Sequence, residues 1–203
     1  PIETGVNLTL YNPAKEYETP DDVQNIPHPI IGYMGTINST RLDGELLYQI
    51  ISQRPDYSFV FTGPEDDIFR RNRIHSLKNA YFTGQKKVDE LPAYIAAYDV
   101  CINPQMVNEI TDGNYPLKID EYLAMGKPTV ATSTHTMRNI FAGHTHLAIN
   151  PEEWLAAIDR AVTEADDKEL AKQRIAFAET HSWGHSVKKI YEIIDSFLKK
   201  KTT

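Results

Sequence analysis

One cysteine, Cys101, stands in a chain of 203 residues, so no internal disulfide can form and nothing asks for an oxidising compartment. No apolar run approaches the roughly 20 residues that span a bilayer, and no signal peptide opens the chain. Basic residues are the minority: 21 Lys and Arg against 28 Asp and Glu give a net charge of −7. That sign argues against nucleic acid as a partner, since duplex binders carry a basic patch, but a small anion can still be met by a few aimed cations. Internal repeats and low-complexity segments are absent too. What is present is a 41% apolar share. It suffices for a sizeable core and for burial of about 70% of the unfolded surface. The expectation is a soluble, cytoplasmic domain with appendages. Because it opens on Pro1 rather than Met, it reads as a piece of something longer.

Proline punctuates residues 1–29, which read as an irregular lead-in or interdomain linker with one strand-like alternation at Val6–Leu10. From Ile30 the pattern becomes regular. Short apolar runs stopped by glycine, proline or polar residues predict six buried strands, at 30–35, 57–62, 80–83, 99–103, 128–132 and 146–149. Helical spacing predicts helices at 43–53, 88–98, 116–125, 151–164 and 167–179, a last one at 186–199 and a short one at 66–72. Alternating strands and helices imply an α/β fold: a doubly wound, Rossmann-like parallel sheet with helices on both faces, over residues 30–182. Residues 183–203 follow as a C-terminal helix. Ligands of such sheets bind beyond the carboxyl ends of the strands, where strand order reverses. The loops after strands one, three and four are therefore the ones to read.

After strand one come Gly35 and Thr36, then Arg41. Glycine there lets a ligand approach the backbone, and Arg41 can grip an anion bidentately; the alternative is an ordinary turn with a solvated arginine. After strand three, Gly84-Gln85-Lys86-Lys87 offers two ammonium groups to a base or a phosphate, or is a solvated loop. After strand four, Asp112-Gly113-Asn114 is a permissive loop and Pro116 opens the next helix, where its missing N–H costs nothing. The orphan N–H groups and positive dipole end of that helix form an anion site. Lys118 adds a full charge beside it, against the dipole preference unless an anion binds. Glu121, three residues on, shares its face; the alternative is a surface ion pair between the two, worth a few tenths of a kcal/mol.

The run Pro116-Leu117-Lys118, then Glu121-Tyr122-Leu123-Ala124-Met125-Gly126-Lys127-Pro128, resembles the nucleotide-sugar signature of GT-B glycosyltransferases of the polysaccharide-building type. Thr4-Gly5-Val6-Asn7, Pro55-Asp56-Tyr57 before Gly63, Phe82-Thr83-Gly84, Leu91-Pro92-Ala93-Tyr94, Asp99-Val100 before Pro104 and His181-Ser182-Trp183 agree with it, so the likeness spans about residues 2 to 198. The resemblance implies the C-terminal, donor-binding half of a GT-B fold, with the N-terminal acceptor-binding domain absent from the chain. It implies a nucleoside-diphosphate sugar as donor, a saccharide or lipid-linked acceptor, and a cytoplasmic enzyme that can sit peripherally at the inner face of the membrane. Glu121 would take the ribose hydroxyls. Lys118, Arg41 and the backbone of Asn114, Tyr115, Pro116 and Leu117 would take the diphosphate beside Gly35 and Thr36, and Gly84, Gln85 and Lys86 would border the base. The isolated domain would bind nucleotide without transferring sugar. Gly113 is a departure: many relatives carry a second glutamate there, toward the donor sugar.

No cofactor or metal is expected, because cations and a helix end can meet the charge of the departing diphosphate. His181 and His185 have a zinc-like spacing, but Gly184 interrupts the helix, so structural or capping roles fit better. His144 and His146 read as surface, Cys101 as a small buried apolar residue, and Lys199–Lys201 as a dipole complement at a helix end. Two rivals share the fold class: half of a GT-B nucleotide-sugar epimerase, and a non-enzymatic flavodoxin-like module with an acidic pocket after strand one.

Overall fold

Ile30–Met34 (β1) and Ser58–Thr62 (β2) are buried at every position, as strands covered on both faces must be. A computed structural model describes residues 5–109, 111–185, 187, 188, 190–192 and 194. Within it, Ala80–Gly84 (β3), Val100–Asn103 (β4), Thr129–Thr132 (β5) and His146–Ala148 (β6) complete one six-stranded sheet. Its order is β3-β2-β1-β4-β5-β6 and every pairing is parallel. Strand order reverses between β1 and β4, which opens a crevice at their carboxyl ends.

On the sheet pack Gly44–Ser52 (α1), Leu91–Ala97 (α2), Leu117–Ala124 (α3) and Pro151–Thr163 (α4), and Lys168–Thr180 (α5) packs against α3. Asp43, Asn150 and Asp167 start α1, α4 and α5 by accepting orphan N–H groups with their side chains. One core layer joins Leu46, Leu47, Ile50 and Ile51 of α1 to Trp154, Leu155 and Ile158 of α4. The other joins Tyr94 and Ile95 of α2, Ile119, Tyr122 and Leu123 of α3 and Ala178 of α5. Val6, Tyr11, Val23 and Ile26 of the lead-in are buried in that second layer. Cys101 lies within it, and burial pushes its thiol well above the ordinary range.

Several expectations need correction. Val6–Leu10 is not a strand: Asn7 Oδ1 accepts the N–H groups of Thr9 and Leu10, folding a turn, and only Val6 pairs, in a parallel bridge with Ser182. Residues 66–72 hold no α-helix; Phe69–Arg71 and Arg73–Ser76 are separate 3-10 turns, split where Asn72 is extended and caps the second. The helix expected from Val88 begins only at Leu91. A π-helical turn, Met137–Phe141, was not legible at all. His144 and His146, read as surface, are half-buried: His144 stacks on Phe177 at 3.8 Å between ring centroids, and His146 lies 3.1 Å from Glu164. His181 does cap, ending α5. The described residues between 183 and 194 are helical, whereas Lys199–Lys201 and Ser186 lie outside the described residues. Among the described residues no helix is long and apolar enough to cross a membrane.

Candidate functional site

Three turns meet at the carboxyl end of the sheet. Gly35 follows β1 at φ +130 and donates its N–H to Thr62 O, while Gly63 follows β2 at φ +148 and donates to Gly84 O, each at 2.9 Å. A β-carbon on Gly63 would lie 2.0 Å from Gly35 O, so only glycine allows the turns to nest. Above them opens a cavity of about 810 Å³.

Helix α3 aims into this cavity. Pro116 leads it without any side-chain cap. Leu117 N–H turns back to Tyr115 O at 3.2 Å, and the Lys118 N–H finds no partner among the described residues. Tyr122, one turn in, fixes the helix to the strand: its hydroxyl accepts the Met34 N–H at 2.9 Å. Lys118 Nζ reaches across Gly35 to the Tyr33 hydroxyl at 2.7 Å. Lys118 and Glu121 do not form the surface ion pair that their spacing allowed. Glu121 instead lies beside Tyr11 from the lead-in, and both line the cavity. Burial pushes the Glu121 carboxyl above its ordinary value, against the pull of the neighbouring Tyr11 phenol and the Lys118 charge. The Tyr11 phenol is pushed up as well, by burial and by that carboxylate.

The expected residues Gly35, Thr36, Arg41, Gln85, Lys86, Asn114, Tyr115, Pro116, Leu117, Lys118 and Glu121 all line the cavity. Gly84 does not; it closes β3 at φ +71 and supports the rim from behind. Lys86 lines the wall, yet its ammonium is committed to Asp22 at 2.6 Å, which also accepts Tyr94 Oη at 2.8 Å. Burial opposes charge on Asp22, but the hydrogen bonds from Lys86 and Tyr94 outweigh it and hold the carboxyl below its ordinary value. The side chain of Lys86 therefore shapes the pocket while its charge is already met. A β-carbon at Gly113 would meet nothing within 4 Å, so the place of the family's second glutamate is open space. Neighbouring Asp112 does not fill it, because its carboxylate accepts the His135 N–H at 2.8 Å.

Sequence reasoning missed Tyr11, Tyr33, Asn38 and Gln105, all on the cavity wall. Tyr33 reads as core because it alternates within an apolar strand, and Tyr11 because nothing in the lead-in announces a site. It also missed the use of Asp120, which is fully buried and accepts from Tyr115 Oη at 2.5 Å and from His181 Nδ1 at 3.0 Å. Among the described residues no group of three His, Cys, Asp or Glu side chains gathers as a metal site. Beside β1 stands an ammonium, not the acidic pocket of a flavodoxin-like module.

Comparison with known proteins agrees with this fold. TuaH of Bacillus subtilis, named as a teichuronic acid biosynthesis glycosyltransferase, is 27% identical over 188 residues, which is 90% of this chain and 47% of the relative. The chain thus spans about half the length of that relative. HepE from Anabaena, solved in complex with UDP, superposes with a TM-score of 0.73 at 15% identity, over 95% of this chain and 56% of that one. The C-terminal domain of LpcC, a group 1 glycosyl transferase family protein from Francisella tularensis, superposes with a TM-score of 0.65 at 19% identity, over 87% of this chain and 97% of that one. These likenesses show the fold, half of a GT-B architecture. The model of the glycosyl transferases group 1 family matches residues 28–164, from just before β1 to the end of α4. With two thirds of its length under that one model, and the whole cavity-bearing sheet inside it, the chain belongs to the group 1 glycosyltransferases.

Proposed function

We propose that this chain is the donor-binding half of a glycosyltransferase that moves a sugar from a nucleoside diphosphate to a saccharide or lipid-linked acceptor in cell-surface polysaccharide synthesis. One observation carries the reading: the uncapped start of α3, the Lys118 ammonium and Glu121 all line one large cavity at the point where strand order reverses. The diphosphate docks at the start of α3, between Lys118, Arg41 and the backbone of Asn114–Leu117. Glu121, beside Tyr11, accepts from the ribose hydroxyls. The base lies along Gln85 and the stem of Lys86.

Departure of the nucleoside diphosphate from the anomeric carbon builds charge on the leaving phosphate. Donors aimed there beforehand stabilise the transition state more than the ground state, each by about 3 kcal/mol. Lys118, Arg41 and the helix end fill that role, and no metal is invoked. The acceptor-binding domain precedes this chain, a reading supported by the match to nearly all of a solved C-terminal domain. The isolated half binds nucleotide and transfers nothing. The whole enzyme works in the cytoplasm, peripherally at the inner face of the membrane when its acceptor is lipid-linked.

Calorimetry with UDP, GDP and ADP tests this, with Lys118→Ala as the variant. Loss of a charge-assisted contact worth about 1.5–3 kcal/mol weakens the preferred nucleotide roughly tenfold to a hundredfold. Unchanged affinity moves the site elsewhere. Turnover of the intact enzyme that vanishes in EDTA and returns only with Mn²⁺ removes the metal-free mechanism.

A further inference from the structure

A lysine serves a departing diphosphate best when its ammonium is aimed before the ligand arrives, because ordering a long stem during binding costs affinity. In this chain the aiming is done by a residue of the opposite core layer. Lys118 Nζ donates to Tyr33 Oη at 2.7 Å and lies 4.2 Å from the centre of the Tyr33 ring. Tyr33 is itself held on two sides: it is 2% exposed, its ring packs 6.3 Å from that of Phe61, and its hydroxyl donates to Thr36 O at 3.0 Å. With its one proton given to Thr36, the phenol oxygen has only lone pairs left for Lys118. The ammonium is thereby set over the Gly35 turn, 2.9 Å from where a β-carbon at that position would stand.

We propose that Tyr33 is a positioning residue, fixed by Thr36 and Phe61 so that it holds the Lys118 ammonium above Gly35, aimed at the diphosphate. The proposal rests on the donor-site reading above. It makes the end of β1 part of the phosphate machinery without touching the ligand.

A double-mutant cycle separates positioning from general structural support. UDP affinity and thermal midpoint are measured for the 203-residue chain, Tyr33→Phe, Lys118→Met and the double variant. Phenylalanine keeps the ring under the ammonium and removes only the hydroxyl. Tyr33→Phe is expected to weaken UDP roughly three- to tenfold, the net worth of one ordinary hydrogen bond, because the ammonium loses its aim and not its charge. In the Lys118→Met background the same change is expected to have no effect on UDP. Equal losses in both backgrounds, or no loss in either, overturn the proposal and leave the donor site standing. If Lys118→Met itself leaves UDP binding unchanged, the donor-site reading falls and the proposal with it. The thermal midpoint separates lost aim from lost fold: a Tyr33→Phe chain that melts with the parent and still binds UDP as the parent does overturns the proposal.

Discussion

Lys118 and Lys127 stand at opposite ends of α3, inside one short motif, and each faces a cavity. At the carboxyl end of the sheet the cavity measures about 810 Å³, and Lys118 meets it with one proton on Tyr33 and its charge otherwise uncommitted. At the amino end the cavity measures about 480 Å³, and Lys127 is spent on structure: Nζ donates to Ala96 O at 2.8 Å and Tyr98 O at 2.6 Å, closing the C-terminus of α2. Asp99 there is equally occupied, by His28 Nδ1 at 2.6 Å and the Ile30 N–H at 2.5 Å. Burial lowers the Lys127 pKa, a cost borne for two carbonyls rather than for a ligand. Residue type and motif membership do not tell these lysines apart. The end of the sheet does, because only the carboxyl end combines a helix start with glycine turns that let backbone and ligand come close.

The largest effect is expected where those turns nest. Gly63→Ala forces a side chain into φ +148 and a β-carbon to within 2.0 Å of Gly35 O. Backbone strain and overpacking together cost about 4 kcal/mol, or on the order of 10 °C in Tm for a domain of this size. A thermal melt within 2 or 3 °C of the parent, by roughly the same scaling, means the turns have slack and the carboxyl end is less specialised than described. Next comes Lys127→Met, which strands two inward carbonyls and costs about 1–3 kcal/mol of stability with no change in UDP affinity. This is the mirror of Lys118→Met, expected to lose affinity and keep its Tm. Should Lys127→Met weaken UDP while melting normally, the division between the two ends breaks.

The fold was legible because buried parallel strands advertise themselves. β1, β2, β4 and β5 are apolar runs closed by glycine, proline or polar residues, and all of them are found. Local chemistry hid the rest. Asn7 bends a strand-like alternation into a turn, and the π-helical turn at Met137–Phe141 has no periodicity of its own to announce it. At the site, Lys118, Glu121 and the start of α3 could be read because dipole, charge and spacing act within a few residues. Partners supplied from afar could not: Asp22 reaches Lys86 across 64 positions, and Tyr33 meets Lys118 across 85.

The smallest expected effect concerns Glu121, and its sign is the informative part. Buried beside Tyr11, this carboxyl titrates above the 4.5 it has in an unfolded chain. From pH 4.5 up to its folded value, the native state holds a proton that the unfolded state has released, so Glu121 takes stability away as pH rises. Below that window it contributes no penalty; above it the penalty is complete. Asp22, Asp66 and Asp159, held below their ordinary values, act in the opposite sense, which is why the difference between parent and variant is the quantity to follow. Urea denaturation of the parent and of Glu121→Gln across pH should show the variant gaining on the parent as pH rises through the window, then running parallel. UDP affinity should fall in the variant, since an amide accepts ribose hydroxyls less strongly than a carboxylate. A carboxyl buried at the expense of the empty fold marks a group retained for its ligand, as paired Lys127 at the other end does not. A stability difference that is flat with pH makes Glu121 an ordinary surface acid, and leaves the carboxyl end with cations alone to recommend it.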